Sequence, residues 1–138
     1  MKNILSLDVG EARIGVAIGY EETKNCFPLQ AIKKSEADIK IKNIINEKQI
    51  SLLVVGLPLD EYNNETTTSQ KIRLFANKLS NENKIDVVFV DEYYSSQEAI
   101  ERLNLKGKDQ KTRNSGIVDS VSATIILERY FTNEGIIV

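Results

Sequence analysis

The chain reads as an α/β protein, with a mixed sheet of five strands, antiparallel entry strands and flanking helices. Three observations predict this. Before residue 35 apolar runs follow one another through short polar or glycine-containing turns, with no room for a helix. After residue 35 apolar runs alternate with segments of helical period. One later run, Leu52-Leu53-Val54-Val55-Gly56, is continuously apolar, as in a parallel strand buried on both faces.

Ile4–Gly10 and Ile14–Gly19 form the opening hairpin, and Leu29–Lys33 a third, weaker strand. Ser35-Glu36-Ala37-Asp38 resembles a capping box ahead of a helix that carries Ala37, Ile41, Ile44 and Ile45 on one face. The strand at 52–56 ends at Gly56-Leu57-Pro58, and Asp60–Thr67 is a polar loop. Ile72, Phe75, Ala76 and Leu79 follow the i, i+3, i+4, i+7 spacing of an amphipathic helix. Residues 85–90 give the last predicted strand. Ser95-Ser96-Gln97-Glu98 is a second capping box, before a short helix with Ala99, Ile100 and Leu103. A polar, basic segment spans 104–116, and a final helix runs from about Val118 to Phe131. The order is β-β-β-α-β-α-β-α-α. In such sheets ligands bind beyond the carboxyl ends of the parallel strands.

At 138 residues the chain has the size of one domain, spanning 1–138, large enough to bury a core. No apolar stretch is long enough to span a membrane, and no signal peptide is legible, so a cytoplasmic setting is expected. A single cysteine, Cys26, excludes an intrachain disulfide and a multi-cysteine zinc site. Histidine is absent, which excludes histidine triads, histidine general bases and histidine-ligated zinc. A net charge of −2 argues against broad nonspecific nucleic-acid binding and leaves room for a local basic surface.

Asp8 stands out. It lies within an apolar strand, where an isolated carboxylate is costly unless it is paired, protonated or holding a cation. Asp91-Glu92 ends a second strand, and Asp119 opens the last helix. Taken alone, Asp119 reads as a helix cap and Asp91-Glu92 as a solvated strand exit. Asp8 has no turn or cap to serve. Convergence of the three would make an oxygen-only site for a hard cation, Mg²⁺ or Mn²⁺. Carboxylates around such ions suit phosphodiester hydrolysis without histidine. Asp8, on a rigid strand, is then the natural bridging ligand.

Leu7-Asp8-Val9-Gly10, Arg13-Ile14-Gly15-Val16-Ala17, Val54-Val55-Gly56-Leu57-Pro58-Leu59, Asp91-Glu92 and Val118-Asp119-Ser120-Val121-Ser122-Ala123 occur in this order over essentially the whole chain. Together they resemble the YqgF family of RuvX-like pre-16S rRNA nucleases, which are similar to Holliday-junction resolvases. The resemblance implies a ribonuclease-H-like fold, with Asp8, Glu92 and Asp119 as the catalytic, metal-binding acids. It also implies trimming of the 5′ end of the small-subunit ribosomal RNA precursor, in the cytoplasm. Two positions depart from the family pattern. Tyr93 stands where an Arg usually follows Asp-Glu, and Glu11 where a Thr usually follows Asp-Val-Gly.

Lys106, Lys108, Lys111 and Arg113 crowd the segment before Asp119 and, with Arg13, are candidates for gripping phosphates. Tyr93 and Tyr94 are candidates for stacking on unpaired bases, or else core or rim residues. The expected partner is structured RNA, with branched DNA as an alternative. Two other classes of function compete. One is a phosphotransferase, because an Asp-x-Gly hairpin also resembles the phosphate-binding turn of actin-like folds. The other is a catalytically weak RNA-binding or ribosome-assembly factor, suggested by Tyr93, Glu11 and the acidic balance.

Overall fold

Side-chain parity along the first strand sets the two faces of the sheet. In the computed structural model, which describes residues 2–93, 95–103 and 116–137, β1 (Asn3–Val9) sends Leu5, Leu7 and Val9 to one face. Ile4, Ser6 and Asp8 alternate to the other. β2 (Arg13–Tyr20) and β3 (Asn25–Lys33) complete the antiparallel entry. A 3₁₀ turn at Lys34–Glu36 leads into α1 (Ala37–Glu47). Then come β4 (Ile50–Leu57), α2 (Thr67–Asn83), β5 (Asp86–Asp91), α3 (Ser95–Arg102), α4 (Ile117–Phe131) and β6 (Ile136–Ile137).

The sheet is mixed, in the order β3-β2-β1-β4-β5-β6. β1, β4 and β5 are parallel, and β2, β3 and β6 are antiparallel to their neighbours. It has six strands rather than the expected five. The addition, β6, is only two residues long, too short to leave an alternating pattern in the sequence. Gly135 turns the chain at φ 68°, and its carbonyl accepts the Asp91 N–H at 2.8 Å.

One face is covered by α1 and α2. Ile41, Ile45, Ile72, Ala76 and Leu79 pack there on Leu5, Leu7, Val16, Leu53 and Val55. The opposite face is covered by α4, and there the sheet offers small residues: Ser6, Gly15, Ala17, Gly19 and Gly56. The helix therefore lies close. A Cβ on Gly15 would come within 1.9 Å of the Asp119 carbonyl oxygen, and one on Gly19 within 2.6 Å of Leu127. Where β3 bulges opposite Ile14 and Val16 of β2, the Val16 N–H donates to Ser120 Oγ of the helix at 3.3 Å. Ser6 Oγ donates to the Ala123 carbonyl at 2.8 Å, a second polar tie across the same interface.

The start of α1 differs from the sequence pattern. The box at Ser35 is not used: the 3₁₀ turn takes its place, and α1 begins with no side-chain cap bond. The Lys34 N–H donates to the Ala12 carbonyl at 2.9 Å, so backbone bonding to the hairpin sets where the chain turns. Conversely, α2 is opened by a reciprocal box between Thr66 and Ser69, in which a serine fills the place usually held by Glu or Gln. Among the described residues no helix is long and apolar enough to cross a membrane.

Candidate active site

Asp8 belongs to the face that α4 covers, and its partner across the β1–β2 ladder is Gly15. The missing side chain at Gly15 brings the first turn of α4, and so Asp119, over the end of β1. Glu92 follows β5 by one residue. Its N–H donates to the Leu57 carbonyl at 3.1 Å, which extends the β4–β5 ladder and, by alternation, directs its side chain to the same face. Gly56 makes the room: a Cβ there would lie 2.9 Å from Glu92 Oε2. Three elements thus deliver three acids to the carboxyl end of the central parallel strands.

The Asp8 and Glu92 carboxyl groups lie within hydrogen-bonding reach of each other, so that a protonated Glu92 can donate to the Asp8 carboxylate. Burial is the main cause of the upward shift of both groups, and their mutual repulsion adds to it for Glu92, whose pKa is pushed up to about 9. Asp8 is also raised, by burial first, and by the charge of Asp119. The pair holds a proton at neutral pH, which is the state of two carboxyls forced together without a cation.

Asp119 lies near enough to act on Asp8 electrostatically, but its Oδ2 accepts from Arg13 Nε at 3.0 Å. That ion pair joins β2 to α4 and is part-exposed, so it contributes little to stability. Among the described residues, no group of three Cys, Asp or Glu side chains is gathered closely enough to cage a metal. The structure therefore joins Asp8 to Glu92 and sets Asp119 beside them on Arg13. Lys106, Lys108, Lys111, Arg113 and Tyr94 lie outside the described residues.

The two departures from the family pattern have local explanations. Tyr93 lays its ring over the guanidinium of Arg129, 4.0 Å from its centroid. A cation therefore remains beside the Asp-Glu turn, carried by α4 rather than by position 93. Glu11 lines a cleft of about 140 Å³ with Gly10, Lys34, Thr68 and Lys71, so two lysines share the cleft with it. Arg129 is a residue that sequence reasoning missed. The signal was available: it continues the buried stripe of α4 four residues after Ile125 and seven after Ser122, where a charge is unexpected. Ser122, part of the motif at 118–123, is fully buried and, among the described residues, its Oγ has no hydrogen-bond partner.

A family model described as "RuvX: Holliday junction resolvase" matches residues 2–133. A "Putative pre-16S rRNA nuclease" of Prochlorococcus marinus (strain MIT 9301) is 41% identical over 136 residues, covering 94% of this chain and 83% of that protein. A protein of the same name from Edwardsiella ictaluri (strain 93-146) is 36% identical over 136 residues, covering 96% of each. Among solved structures, T. thermophilus RuvC in complex with Holliday junction substrate superposes with a TM-score of 0.62 at 14% identity, covering 99% of this chain and 100% of that one. The fowlpox virus Holliday junction resolvase gives 0.56 at 11% identity, covering 95% and 99%. These two share the fold.

Proposed function

The chain belongs to the RuvX family, and from that premise we propose that it is a divalent-metal-dependent endonuclease. Its proposed substrate is structured RNA, cleaved at a phosphodiester bond during 5′-end maturation of the 16S ribosomal RNA precursor, in the cytoplasm. The observation that carries this reading is the meeting of the buried Asp8 and Glu92 carboxyl groups, from β1 and the end of β5, in the space that Gly56 leaves.

The donor set fits Mg²⁺ or Mn²⁺. It consists of carboxylate oxygens, the ligands hard cations prefer. The shared proton occupies the place where positive charge is wanted, and Gly56 leaves the space that lets Glu92 approach. Asp8, Glu92 and Asp119 would hold the ion. When bound, it supplies a water ionised at neutral pH and charge stabilisation for the departing oxygen. Asp8 and Glu92 would take that role as carboxylates, the Glu92 proton passing to solvent. Asp119 would offer the ion the oxygen that Arg13 does not hold, and the part-exposed Arg13 guanidinium would keep further donors for a phosphate. Ser6 and Ser120 anchor α4 to the sheet, and so keep Asp119 at the strand end.

Purified protein is expected to cut a structured RNA carrying the 5′ precursor junction when Mn²⁺ is present and not when EDTA is added. Cleavage of a four-way DNA junction in preference to that RNA would shift the substrate to branched DNA. No cleavage of either, with RNA still bound, would favour an assembly factor. Lys106, Lys108, Lys111 and Arg113 are assigned to phosphate binding in the same reading. Neutralising all four is expected to weaken RNA binding and to flatten the dependence of log affinity on log salt, by about 0.7–0.9 for each phosphate no longer neutralised. An unchanged slope would remove them from the interface.

A further inference from the structure

A buried arginine stands behind the Glu92 turn. Arg129 is only 4% exposed. A buried guanidinium is costly unless its donors are satisfied, and this one is held from three sides. One terminal nitrogen donates to the Asp91 carbonyl at 3.1 Å, and the other to Glu98 Oε1 of α3 at 3.0 Å. The Tyr93 ring covers its face at 4.0 Å. The residues on either side of Glu92 are thus both gripped by one side chain of α4. The rest of the turn is fixed by backbone: Asp91 N–H to the Gly135 carbonyl, Glu92 N–H to the Leu57 carbonyl, and Ser95 N–H to the Glu92 carbonyl.

α4 is also the helix that carries Asp119, so Arg129 fixes the Glu92 turn and the Asp119 helix to each other. The fork is what makes this possible: two donors in one plane meet a carbonyl and a carboxylate while the face accepts a ring, which a lysine cannot reproduce.

We propose that Arg129 is a positioning residue: by clamping Asp91 and Tyr93 to α4 it sets Glu92 in register with Asp8 and Asp119 for a divalent cation. The proposal rests on the reading of those acids as ligands. It explains why a charge sits in the buried stripe of α4, and why position 93 carries a ring rather than a second guanidinium. A second guanidinium there would face the first at close range.

The test is Mn²⁺ binding by titration calorimetry, alongside melting temperature in EDTA, for the wild type, Glu92→Gln and Arg129→Gln. Arg129→Gln is expected to melt cooperatively at a lower temperature and to bind Mn²⁺ about 10- to 100-fold more weakly, as changes behind a metal ligand do. Arg129→Lys should recover only part of that affinity. A merely structural arginine would lower the melting temperature and leave the Mn²⁺ affinity within about twofold of the wild type, and that result overturns the proposal. If Arg129→Gln does not fold, the double change Tyr93→Leu with Glu98→Gln decides. It removes the ring over the guanidinium and weakens the Glu98 bond to one with a neutral amide oxygen, both at part-exposed side chains, and unchanged Mn²⁺ affinity there also overturns the proposal. A wild type that binds no Mn²⁺, or a Glu92→Gln variant that binds it equally, would overturn the metal-site reading along with it.

Discussion

Asp8→Asn is expected to raise the melting temperature of the metal-free protein while eliminating RNA cleavage and the stabilisation by Mn²⁺. Asp8 and Glu92 are held together by the fold against burial and mutual repulsion. The sign follows from proton linkage. The folded Glu92 keeps its proton up to about 9, whereas the unfolded chain releases it near the ordinary 4.5. The group therefore supports the fold fully at pH below about 4.5, and the wild type loses that support as pH climbs from there towards 9. Each pH unit within the window costs at most about 1.4 kcal/mol. An amide at position 8 removes the charge that repels Glu92 and offers it an N–H. The gain in melting temperature should accordingly be small at about pH 5 and grow towards about pH 8.5. Mn²⁺ is expected to stabilise the wild type by binding the native state, and the same variant to show no shift with the ion. Thermal melts across pH, with EDTA or Mn²⁺, check both halves. A lower melting temperature at every pH, with the Mn²⁺ shift intact, would make Asp8 a structural acceptor instead.

Gly15→Ala is expected to lower the melting temperature by on the order of 10 °C, from a cost of about 3 kcal/mol. The added methyl would meet the Asp119 carbonyl oxygen at 1.9 Å and its carbonyl carbon at 2.2 Å. These are backbone atoms, so no rotamer relieves the clash, and the helix has to move off the sheet. That movement strains the Ser120 and Ser6 bonds and the 3.0 Å ion pair between Asp119 and Arg13. Mn²⁺ affinity should fall with stability, because Asp119 moves away from Asp8. A melting temperature within about 2 °C of the wild type would show that α4 rides on the sheet more loosely than its close approach implies.

The elements are legible in the sequence where periodicity is strong. The apolar run at 52–56 and the spacing of Ile72, Ala76 and Leu79 fix β4 and α2, because burial on two faces or one leaves a direct trace in composition. β6 leaves no trace, since two residues cannot show a period. The start of α1 departs from its local signal, because the backbone bond between Lys34 and Ala12 outweighs the capping pattern of Ser35. Asp8 is conspicuous for a physical reason: an acid in an apolar strand has to be explained by something outside the strand. Its pairing with Glu92 follows from strand parity, which a sequence carries. The ion pair of Asp119 with Arg13 does not follow, because it depends on how closely α4 docks, and that closeness is set by Gly15, Gly19 and Gly56 acting together. Arg129 is hidden for a similar reason. Its partners Asp91, Tyr93 and Glu98 come from a strand end, a turn and another helix, and no spacing in the chain announces them.

The central claim is that Asp8, Glu92 and Asp119 hold a divalent cation in common. A crystal soaked in Mn²⁺, with the metal located by its anomalous scattering, tests this most directly. The account predicts a peak bounded by carboxylate oxygens of all three residues, with the Asp119 oxygen that Arg13 does not hold on the ion and the Asp8–Glu92 hydrogen bond replaced by bonds to the metal. A crystal in which the Asp8–Glu92 hydrogen bond persists at saturating Mn²⁺, with no peak beside it, would contradict the account.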